Sequence, residues 1–387
     1  MRRPTLDYLR TESGSGLLLA AAATAALGLA NSRLGPEYLQ LLAAPVPVRI
    51  GDLSETLSLA GWVRALLMPV FFLVLGMELK FELLRGELSN LRRLALPALA
   101  AAGGLAAPAA IYLALNQGPH GAPDGWAPGC ATDGAAALAA LAIAGSRLPQ
   151  PLHVLIMGVA LTDNLIAVTL SGIFAPTALD RDMLIGAGVA LILLAALSRW
   201  RRAPLLFYAI GFVAVWGFTL KSGLDPALAG VACAFTVPIG TRRSGQPSLL
   251  KYFMDSLHPY VAFAVLPAFI LTAAGFPHRA VRLADLGEPA PLGLLLALVV
   301  GKPLGVFGLP FAAALARLVR KPIGVTWLQM LGAAMLCGTG LTTSYFLAGM
   351  GAPAPPPIQL AILLGSAGAT AAGVALLSRA PAADAAS

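Results

Sequence analysis

The feature that most constrains the fold of this chain is a succession of apolar stretches, each long enough to cross a bilayer. In lipid the backbone must satisfy its own hydrogen bonds, which a helix does within a single segment. Only 11% of the 387 residues are charged, against roughly 25% in a soluble domain. The sequence therefore predicts an all-α polytopic membrane protein. We count twelve transmembrane helices, at about residues 14–31, 59–79, 94–116, 125–145, 150–174, 183–200, 204–220, 223–239, 254–275, 290–312, 325–350 and 357–378.

The basic residues are distributed as in a membrane protein rather than a nucleic-acid-binding protein. The chain has 26 Lys and Arg against 18 Asp and Glu, and the basic residues form short clusters between the apolar stretches. With the N-terminus inside, 18 of the 26 fall in inner segments and 6 in outer loops. An excess of Lys and Arg marks the cytoplasmic side. We therefore expect both termini in the cytoplasm, a lipid bilayer around the protein and no nucleic-acid partner.

The predicted domain organisation is simple. Residues 1–378 are expected to form a single membrane domain, and residues 379–387 a disordered tail. The long first outer loop has alternating residues around Gly51-Asp52, which predict a small β-hairpin at about 46–57. A structureless loop is the alternative.

Two of the predicted helices, the fourth and the eleventh, are interrupted. Pro128 and Gly129 interrupt the fourth within WAPGCATDG, and Gly338 and Gly340 interrupt the eleventh within CGTGLTT. Paired interruptions in two halves of a chain are typical of a transport site at mid-membrane, built from inverted repeats. Unwound backbone is tolerated there only where it is buried or lines a wet cavity. The alternative is that the glycines only allow close helix packing.

Two ionisable residues lie deep inside apolar stretches. Asp163 is in LIMGVALTDNLIAVTLSGIF and Lys302 is in LGLLLALVVGKPLGVFGLP. A charge at that depth costs at least ~2.5–3.5 kcal/mol, so each residue is a functional candidate. A structural salt bridge between them is the alternative. It is compatible with function, because buried pairs also change protonation during transport.

A third ionisable residue, the carboxylate Asp133, stands beside the first interruption and next to Thr132. The unwound chain offers carbonyl oxygens and the Thr132 hydroxyl, while the half-helix ends add partial charges. Hard oxygen ligands of this kind suit a small cation such as sodium or lithium. The alternative is a neutral, hydrogen-bonded Asp133 that fixes the crossing of the helices.

A series of short motifs occurs in order along the chain: GMELK at 76–80 with Glu82, ATD at 131–133, ALTDNL at 160–165, KSG at 221–223, LHP at 257–259, GKPLG at 301–305 and LCGTG at 336–340. Through these motifs the chain resembles the NhaA-type sodium/proton antiporters over nearly its whole length. The resemblance implies an inverted-repeat antiporter fold whose broken fourth and eleventh helices cross. It also implies a homodimer joined partly through the outer hairpin, a place in the bacterial cytoplasmic (inner) membrane, and alternating access driven by the proton gradient without a cofactor.

The resemblance also assigns roles to residues. Asp163 would pair with Lys302, Asp133 would balance the helix ends, and sodium would be held transiently at these two carboxylates. Thr132 and position 164 would complete the cation and proton site. A second set of residues would tune activity to pH: Glu78, Lys80, Glu82, Asp255 and His258. For His258 the alternative is a helix-start residue on the cytoplasmic surface.

Three positions depart from the family pattern. Asn164 stands where the family has the second of two consecutive aspartates, the one that takes the cation and a proton in turn. Asparagine can offer a carbonyl oxygen, but it cannot titrate. Arg64-Ala65 replaces an Asn-Asp pair near the outer mouth, and Asp225 replaces a histidine at the outer start of the eighth helix.

With Asn164 in place of an acid, the ionised Asp133, Asp163 and Lys302 sum to one negative charge rather than two. We therefore predict a secondary active transporter that exchanges sodium or lithium for protons with altered coupling, namely weaker cation binding and fewer protons per cycle. Three alternatives stay open: a family member that exports an organic substrate, a membrane-embedded acid–base enzyme, and an inactive paralogue. No metal-binding cluster, GxSxG or phosphate loop favours the enzyme.

Overall fold

The computed structural model describes residues 12–50, 53–145, 148–174, 178–200, 204–240 and 248–380. Three sequence predictions lie wholly or partly outside these ranges. They are the turn at Gly51-Asp52, most of the disordered tail, and part of the charge bias that orients the termini.

The described ranges are almost entirely helical, with one two-stranded sheet. Short 3₁₀ turns occur at Glu87–Ser89, Pro123–Cys130, His278–Ala280 and Leu283–Gly287, and π-helical turns at Val261–Val265 and Ala297–Gly301. The other elements, in chain order, are α1 (Glu12–Ala30), α2 (Gly35–Ala43), β1 (Pro45–Ile50), β2 (Leu53–Ser58), α3 (Leu59–Leu84), α4 (Leu91–Leu115), α5 (Gly134–Ala144), α6 (Gln150–Phe174), α7 (Arg181–Leu197), α8 (Leu205–Lys221), α9 (Ala227–Thr236), α10 (Leu249–Tyr260), α11 (Leu266–Ala273), α12 (Pro289–Leu296), α13 (Lys302–Leu315), α14 (Trp327–Leu336), α15 (Leu341–Ala348) and α16 (Pro356–Arg379).

The helices are those of a polytopic membrane protein. Six helical stretches in the described ranges are long and apolar enough to cross a membrane, or up to nine if each of three bent helix pairs is one span. Two bent pairs fall at the predicted interruptions: Pro123–Cys130 with α5, and α14 with α15, each bent by 43°. Helices α7, α8 and α9 have only 17, 17 and 10 residues, whereas about 20 residues cross a bilayer. The number twelve therefore stays a prediction.

Helix α2 is an element that the sequence analysis did not predict. It follows α1 at an angle of 109° and has a proline in its first turn, a position that favours helix initiation. The hydroxyl of Tyr38 on this helix donates a hydrogen bond to the carbonyl oxygen of Leu271. The segment has nine residues, too few to be recognised as a membrane span. The sequence therefore assigns it to the first outer loop.

Strands β1 and β2 pair antiparallel along their whole length. The indole nitrogen of Trp62 donates to the carbonyl oxygen of Val46 at 2.8 Å. Nζ of Lys221 donates to the carbonyl oxygen of Ser54 at 2.5 Å and lies 2.7 Å from the Glu55 carboxylate. The hairpin is therefore held against the start of α3 and the end of α8.

The chain folds into two compact units. The first consists of the described residues within 12–21, 85–167 and 276–380, and the second of those within 22–84 and 168–275. In the first unit α4 and α13 touch through Gly103 and Gly305, where a methyl group on Gly305 would lie 1.9 Å from the Gly103 carbonyl oxygen. Small residues allow such close backbone approach between membrane helices. In the second unit α3 packs along α9.

Candidate functional site

The two interruptions meet inside the first unit. The chain is not helical from Ala131 to Asp133, or at Thr339 and Gly340 between α14 and α15. Buried non-helical backbone in a membrane must find hydrogen-bond partners, and these two segments supply them to each other. Three hydrogen bonds join them: from the Asp133 amide to the Thr339 carbonyl oxygen (2.6 Å), from the Thr132 hydroxyl to the Cys337 carbonyl oxygen (2.9 Å), and from the Ser344 hydroxyl to the Pro128 carbonyl oxygen (2.6 Å).

Glycine is needed where the second interruption packs against its neighbours. A methyl group on Gly338 would lie 2.4 Å from the carbonyl oxygen of Leu298, and one on Gly340 would lie 2.2 Å from Oγ of Ser344. Both distances are too short for a Cβ atom. The interruption and the close packing, which the sequence offered as alternatives, therefore occur together at these residues.

Two further hydrogen bonds between the interruptions end on the Asp133 side chain, which caps two helices at once. Its Oδ1 accepts a hydrogen bond from the Ala136 amide at 3.2 Å, in the first turn of α5. Its Oδ2 accepts from the amide and the hydroxyl of Thr342, at 3.0 and 2.5 Å, in the first turn of α15. The residue is only 4% exposed. A carboxylate in this position compensates the positive ends of both helices.

Asp163 and Lys302 form an ion pair with no exposure to solvent. Oδ2 of Asp163 lies 2.5 Å from Nζ of Lys302, and both side chains are fully buried. Nζ also donates to the hydroxyl oxygen of Thr132 at 2.9 Å. Within the described part of the chain, Oδ1 of Asp163 has no hydrogen-bond partner. One carboxylate oxygen is thus fixed by the ammonium group, and the other is available to a ligand.

Lys302 begins α13 directly after the π-helical turn Ala297–Gly301. Such turns recur at functional sites, because one extra residue per turn re-aims the following side chains. Close packing accompanies the distortion: a methyl group on Gly301 would lie 2.6 Å from Cα of Pro108. The apolar sequence of this turn gave no signal of it.

Asn164 is tied to the unwound fourth helix by two hydrogen bonds. Its Oδ1 accepts from the Thr132 amide at 3.1 Å, and its Nδ2 donates to the Thr132 carbonyl oxygen at 2.8 Å. The residue is 2% exposed. An ionised aspartate has only acceptors and could not make the second bond. Asn164 therefore makes both hydrogen bonds to Thr132 permanently, whereas an aspartic acid could make both only when protonated.

These contacts place one titratable carboxylate beside one titratable amine in a buried site. Thr132 joins them to Asn164, because its hydroxyl receives the Lys302 ammonium and its backbone pairs with the amide. The described residues contain no group of three or more His, Cys, Asp or Glu that could hold a metal.

Comparison with known proteins identifies the type of protein. A family model described as Na+/H+ antiporter 1 matches residues 6–377. The chain belongs to this family. It is 36% identical over 386 residues to Na(+)/H(+) antiporter NhaA 2 of Erythrobacter litoralis, covering 98% of this chain and 96% of that protein.

Two further relatives agree. Na(+)/H(+) antiporter NhaA 1 of Pseudomonas savastanoi pv. phaseolicola is 39% identical over 374 residues, covering 96% of this chain and 94% of the relative. Na(+)/H(+) antiporter NhaA of Albidiferax ferrireducens is 38% identical over 380 residues, covering 96% of each. The NhaA resemblance is confirmed. The chain is a multi-pass membrane protein of a transporter family and not an enzyme.

The residues for which the NhaA resemblance implied a role in pH response lie in the second unit. Oε1 of Glu78 lies 3.0 Å from Nδ1 of His258, whose side chain is about half exposed. Nζ of Lys80 donates to the carbonyl oxygens of Phe235 and Val237, at 2.7 and 2.6 Å, at the C-terminal end of α9. The structure thus brings Glu78 and His258 together, and the Lys80 ammonium group caps the C-terminal end of α9. Asp255 pairs with Lys251 on its own helix at 3.5 Å, and Glu82 stands in the last turn of α3.

Two of the three departures from the NhaA pattern contact each other. Nη2 of Arg64 lies 2.6 Å from Oδ2 of Asp225, in an ion pair whose side chains are 20% and 13% exposed. Beside it, the indole nitrogen of Trp216 donates to the carbonyl oxygen of Ala65 at 2.7 Å. Nothing in the sequence links Arg64 to Asp225, whereas the structure joins them.

The sequence analysis also missed the contribution of α15 to the site. Thr342 supplies two of the three hydrogen bonds to Asp133, and Ser344 supplies one bond to the first interruption. The signal was the polar run Thr342-Thr343-Ser344 in an otherwise apolar span. All three residues are at most 1% exposed.

Proposed function

We propose that this protein exchanges sodium or lithium for protons across the bacterial cytoplasmic membrane, at a site centred on Asp163. The observation that carries the proposal is the buried Asp163–Lys302 pair, in which one carboxylate oxygen is bound by the ammonium group and the other is available. Family membership and the names of the relatives support the two cargo ions.

The exchange follows from charge balance in a buried site. With a proton bound, Asp163 is paired with the Lys302 ammonium group. When a cation binds to Asp163, the excess positive charge is relieved if Lys302 releases one proton. Both states then have the same net charge, including Asp133. The cation and the protonated Lys302 therefore compete for one carboxylate, and binding of one is coupled to loss of the other, as antiport requires.

The altered coupling rests on Asn164. The side-chain amide of Asn164 already donates to and accepts from the Thr132 backbone. Asn164 therefore keeps these bonds in the cation-free and the cation-bound state without gaining or losing a proton. Its Oδ1 can still contribute a lone pair to a cation. We infer one proton released per cation bound, so that exchange is electroneutral.

Asp133 acts in this scheme through its charge. Three donors occupy its two oxygens, so a direct role as cation ligand would require breaking a helix cap. We propose that it holds the two half-helices together and keeps the site negative. Sodium then binds at Asp163 with Thr132 and the unwound backbone nearby.

The remaining family-based expectations are part of the same proposal. They are twelve spans with both termini in the cytoplasm, a homodimer joined partly through the β1–β2 hairpin, and tuning by pH through the Glu78–His258 pair. An unpaired positive charge on Arg64 at the outer mouth would favour an organic or less cationic substrate. Arg64 is paired with Asp225, and this pairing supports a small cation as cargo.

The test is exchange by purified protein in vesicles that carry a pH gradient and an internal pH dye. Sodium or lithium should collapse the gradient, and clamping the membrane potential with potassium and valinomycin should not change the rate. Potassium and an impermeant organic cation serve as cargo controls. If no alkali ion changes the internal pH at any starting pH, the proposal is wrong. Two protons per sodium would reject the one-proton scheme and leave antiport standing.

A further inference from the structure

A groove in the first unit, separate from the Asp163 site, has the lining of an amphipathic-ligand site. It has a volume of about 660 Å³, within the range of ~300–1,000 Å³ that is usual for small-molecule sites. Leu96, Pro97, Val154 and Leu155 form an apolar wall. The polar side chains in the lining are those of Glu87, Gln150, Arg320 and Lys321.

The basic side of the groove is a loop with a fixed backbone. After α13 the chain turns through Arg317, at φ 59°, and the Leu318 amide donates to the Ala313 carbonyl oxygen at 2.9 Å. This is the pattern of a Schellman helix end. The loop ends at Val325, which is 2% exposed within the core of the unit. Arg320 and Lys321 are therefore presented by an anchored segment.

The same loop exposes large apolar side chains beside its cations. Leu315, Leu318 and Ile323 are 71%, 78% and 94% exposed. The groove also contains the first residues of α6 and lies near the start of α4, two helices long enough to cross the membrane. Apolar side chains interleaved with Lys and Arg at the end of a span are typical of a segment in the bilayer interface. The groove therefore opens where lipid headgroups lie.

We propose that this groove binds one anionic phospholipid with a single phosphodiester, such as phosphatidylglycerol. The phosphate pairs with Arg320 and Lys321, because basic pockets between membrane helices bind anionic headgroups. One acyl chain lies along the Leu96–Leu155 wall, with Ile323 covering it. The headgroup hydroxyls donate to the carboxylate and amide oxygens of Glu87 and Gln150.

Charge favours this lipid over a zwitterionic one. Arg320 and Lys321 against Glu87 leave the lining with a net charge of one positive unit, which a singly charged anionic lipid neutralises. Phosphatidylethanolamine, with no net charge, leaves that positive charge uncompensated. The proposal concerns a lipid site and is independent of the ion-exchange scheme.

The test is native mass spectrometry and thermal unfolding of detergent-purified full-length protein with added lipid. Phosphatidylglycerol should bind one molecule per chain above the background and raise the melting temperature, since a ligand of the folded state stabilises it. Arg320→Gln/Lys321→Gln should weaken that binding about thirtyfold. Arg33→Gln/Arg199→Gln removes the same charge from exposed residues in the other unit and should bind like wild type.

A second variant tests the apolar half of the site. Ile323→Ser changes a residue that is 94% exposed, so it should leave the lipid-free melting temperature unchanged while lowering the lipid-induced shift. Equal binding of phosphatidylethanolamine overturns the proposal. So does an equal loss in the Arg33/Arg199 control, which would indicate diffuse attraction, and so does unchanged binding in Arg320→Gln/Lys321→Gln.

Discussion

Two ion pairs in this protein have nearly the same length and different surroundings. Asp163 and Lys302 are 2.5 Å apart with no exposure, whereas Arg64 and Asp225 are 2.6 Å apart with side chains 20% and 13% exposed. The second carboxylate oxygen of each pair also has different hydrogen-bond partners. Oδ1 of Asp225 accepts from the Ala227 amide at 2.9 Å, while Oδ1 of Asp163 has no hydrogen-bond partner among the described residues.

The cationic partner decides what each pair can do. A buried lysine can release its proton, whereas an arginine keeps its charge in proteins. The partner of Asp163 can therefore yield to a cargo ion, and the partner of Asp225 cannot. Removing one member of a buried pair costs about 3–5 kcal/mol, against about 0–1 kcal/mol for a pair near the surface. In the proposed exchange, the Asp163–Lys302 pair holds the charge that is exchanged, and the Arg64–Asp225 pair only joins chain segments.

The largest effect is expected from Asp163→Asn, with Asp225→Asn as the matched control. Each change removes one carboxylate charge and almost no volume. Sodium-driven proton movement in vesicles should fall to that of protein-free vesicles in Asp163→Asn and stay close to wild type in Asp225→Asn. Because Lys302 is then buried without a counter-charge, Asp163→Asn should also lose about 3–5 kcal/mol of stability, measured by unfolding in detergent.

A double variant separates the loss of exchange from the loss of stability. Asp163→Leu/Lys302→Met replaces both charges with apolar side chains, a change that is often neutral or stabilising for buried pairs. Stability should return while exchange stays absent. Exchange at the wild-type rate in either Asp163 variant would contradict the assigned role of this carboxylate.

The next largest effect is expected from Asn164→Asp. The new carboxylate, when ionised, cannot donate to the Thr132 carbonyl oxygen as Nδ2 now does at 2.8 Å. It should therefore bind a proton in the cation-free state and lose that proton when the cation binds. We expect a second proton per cycle and an exchange rate that responds to a clamped membrane potential. Asn164→Ala is the control, because it breaks both bonds without adding a charge and should remain electroneutral. Potential-independent exchange by Asn164→Asp would argue against the one-charge scheme.

Much of the Asp163 site could be predicted because the sequence around it is so apolar. In such a stretch each charge or helix-breaking residue is conspicuous, and a buried charge must have a partner. Asp163, Lys302 and the two interruptions stood out for this reason. Their hydrogen-bonded meeting also follows from the rule that unwound backbone in a membrane needs partners.

The parts that were missed depend on contacts between distant residues. Arg64 and Asp225 are 161 positions apart, so no local pattern links them. The π-helical turn Ala297–Gly301 has a sequence that suits an α-helix equally well, and its packing against Pro108 is a tertiary feature. Helix α2 was missed for a different reason, since nine residues of mixed polarity resemble a loop.

A moderate effect is expected at Asp133, a buried carboxylate that has helix ends rather than a cation as partners. Asp133→Asn keeps an acceptor but removes the charge near two positive helix ends, which should cost about 1–2 kcal/mol. Asp133→Ala removes both caps and should cost about 1–4 kcal/mol. Unfolding in detergent measures both, and Asp180→Ala, which removes the single cap of α7, is the control. Equal losses for Asp133→Ala and Asp180→Ala would mean that Asp133 supports only one helix.

The smallest effect is expected from a double-mutant cycle on the partly exposed pair, with Arg64→Ala, Asp225→Ala and the double variant. The coupling free energy should be about 0.2–1 kcal/mol, and it should shrink as salt is raised, because exposed charges are screened. The same cycle on Asp163 and Lys302 should give a coupling several times larger that hardly responds to salt. Because Arg64 cannot release a proton, exchange in Arg64→Ala should keep its dependence on pH. If Arg64→Ala instead shifts that dependence, the division between an exchangeable pair and a structural pair fails.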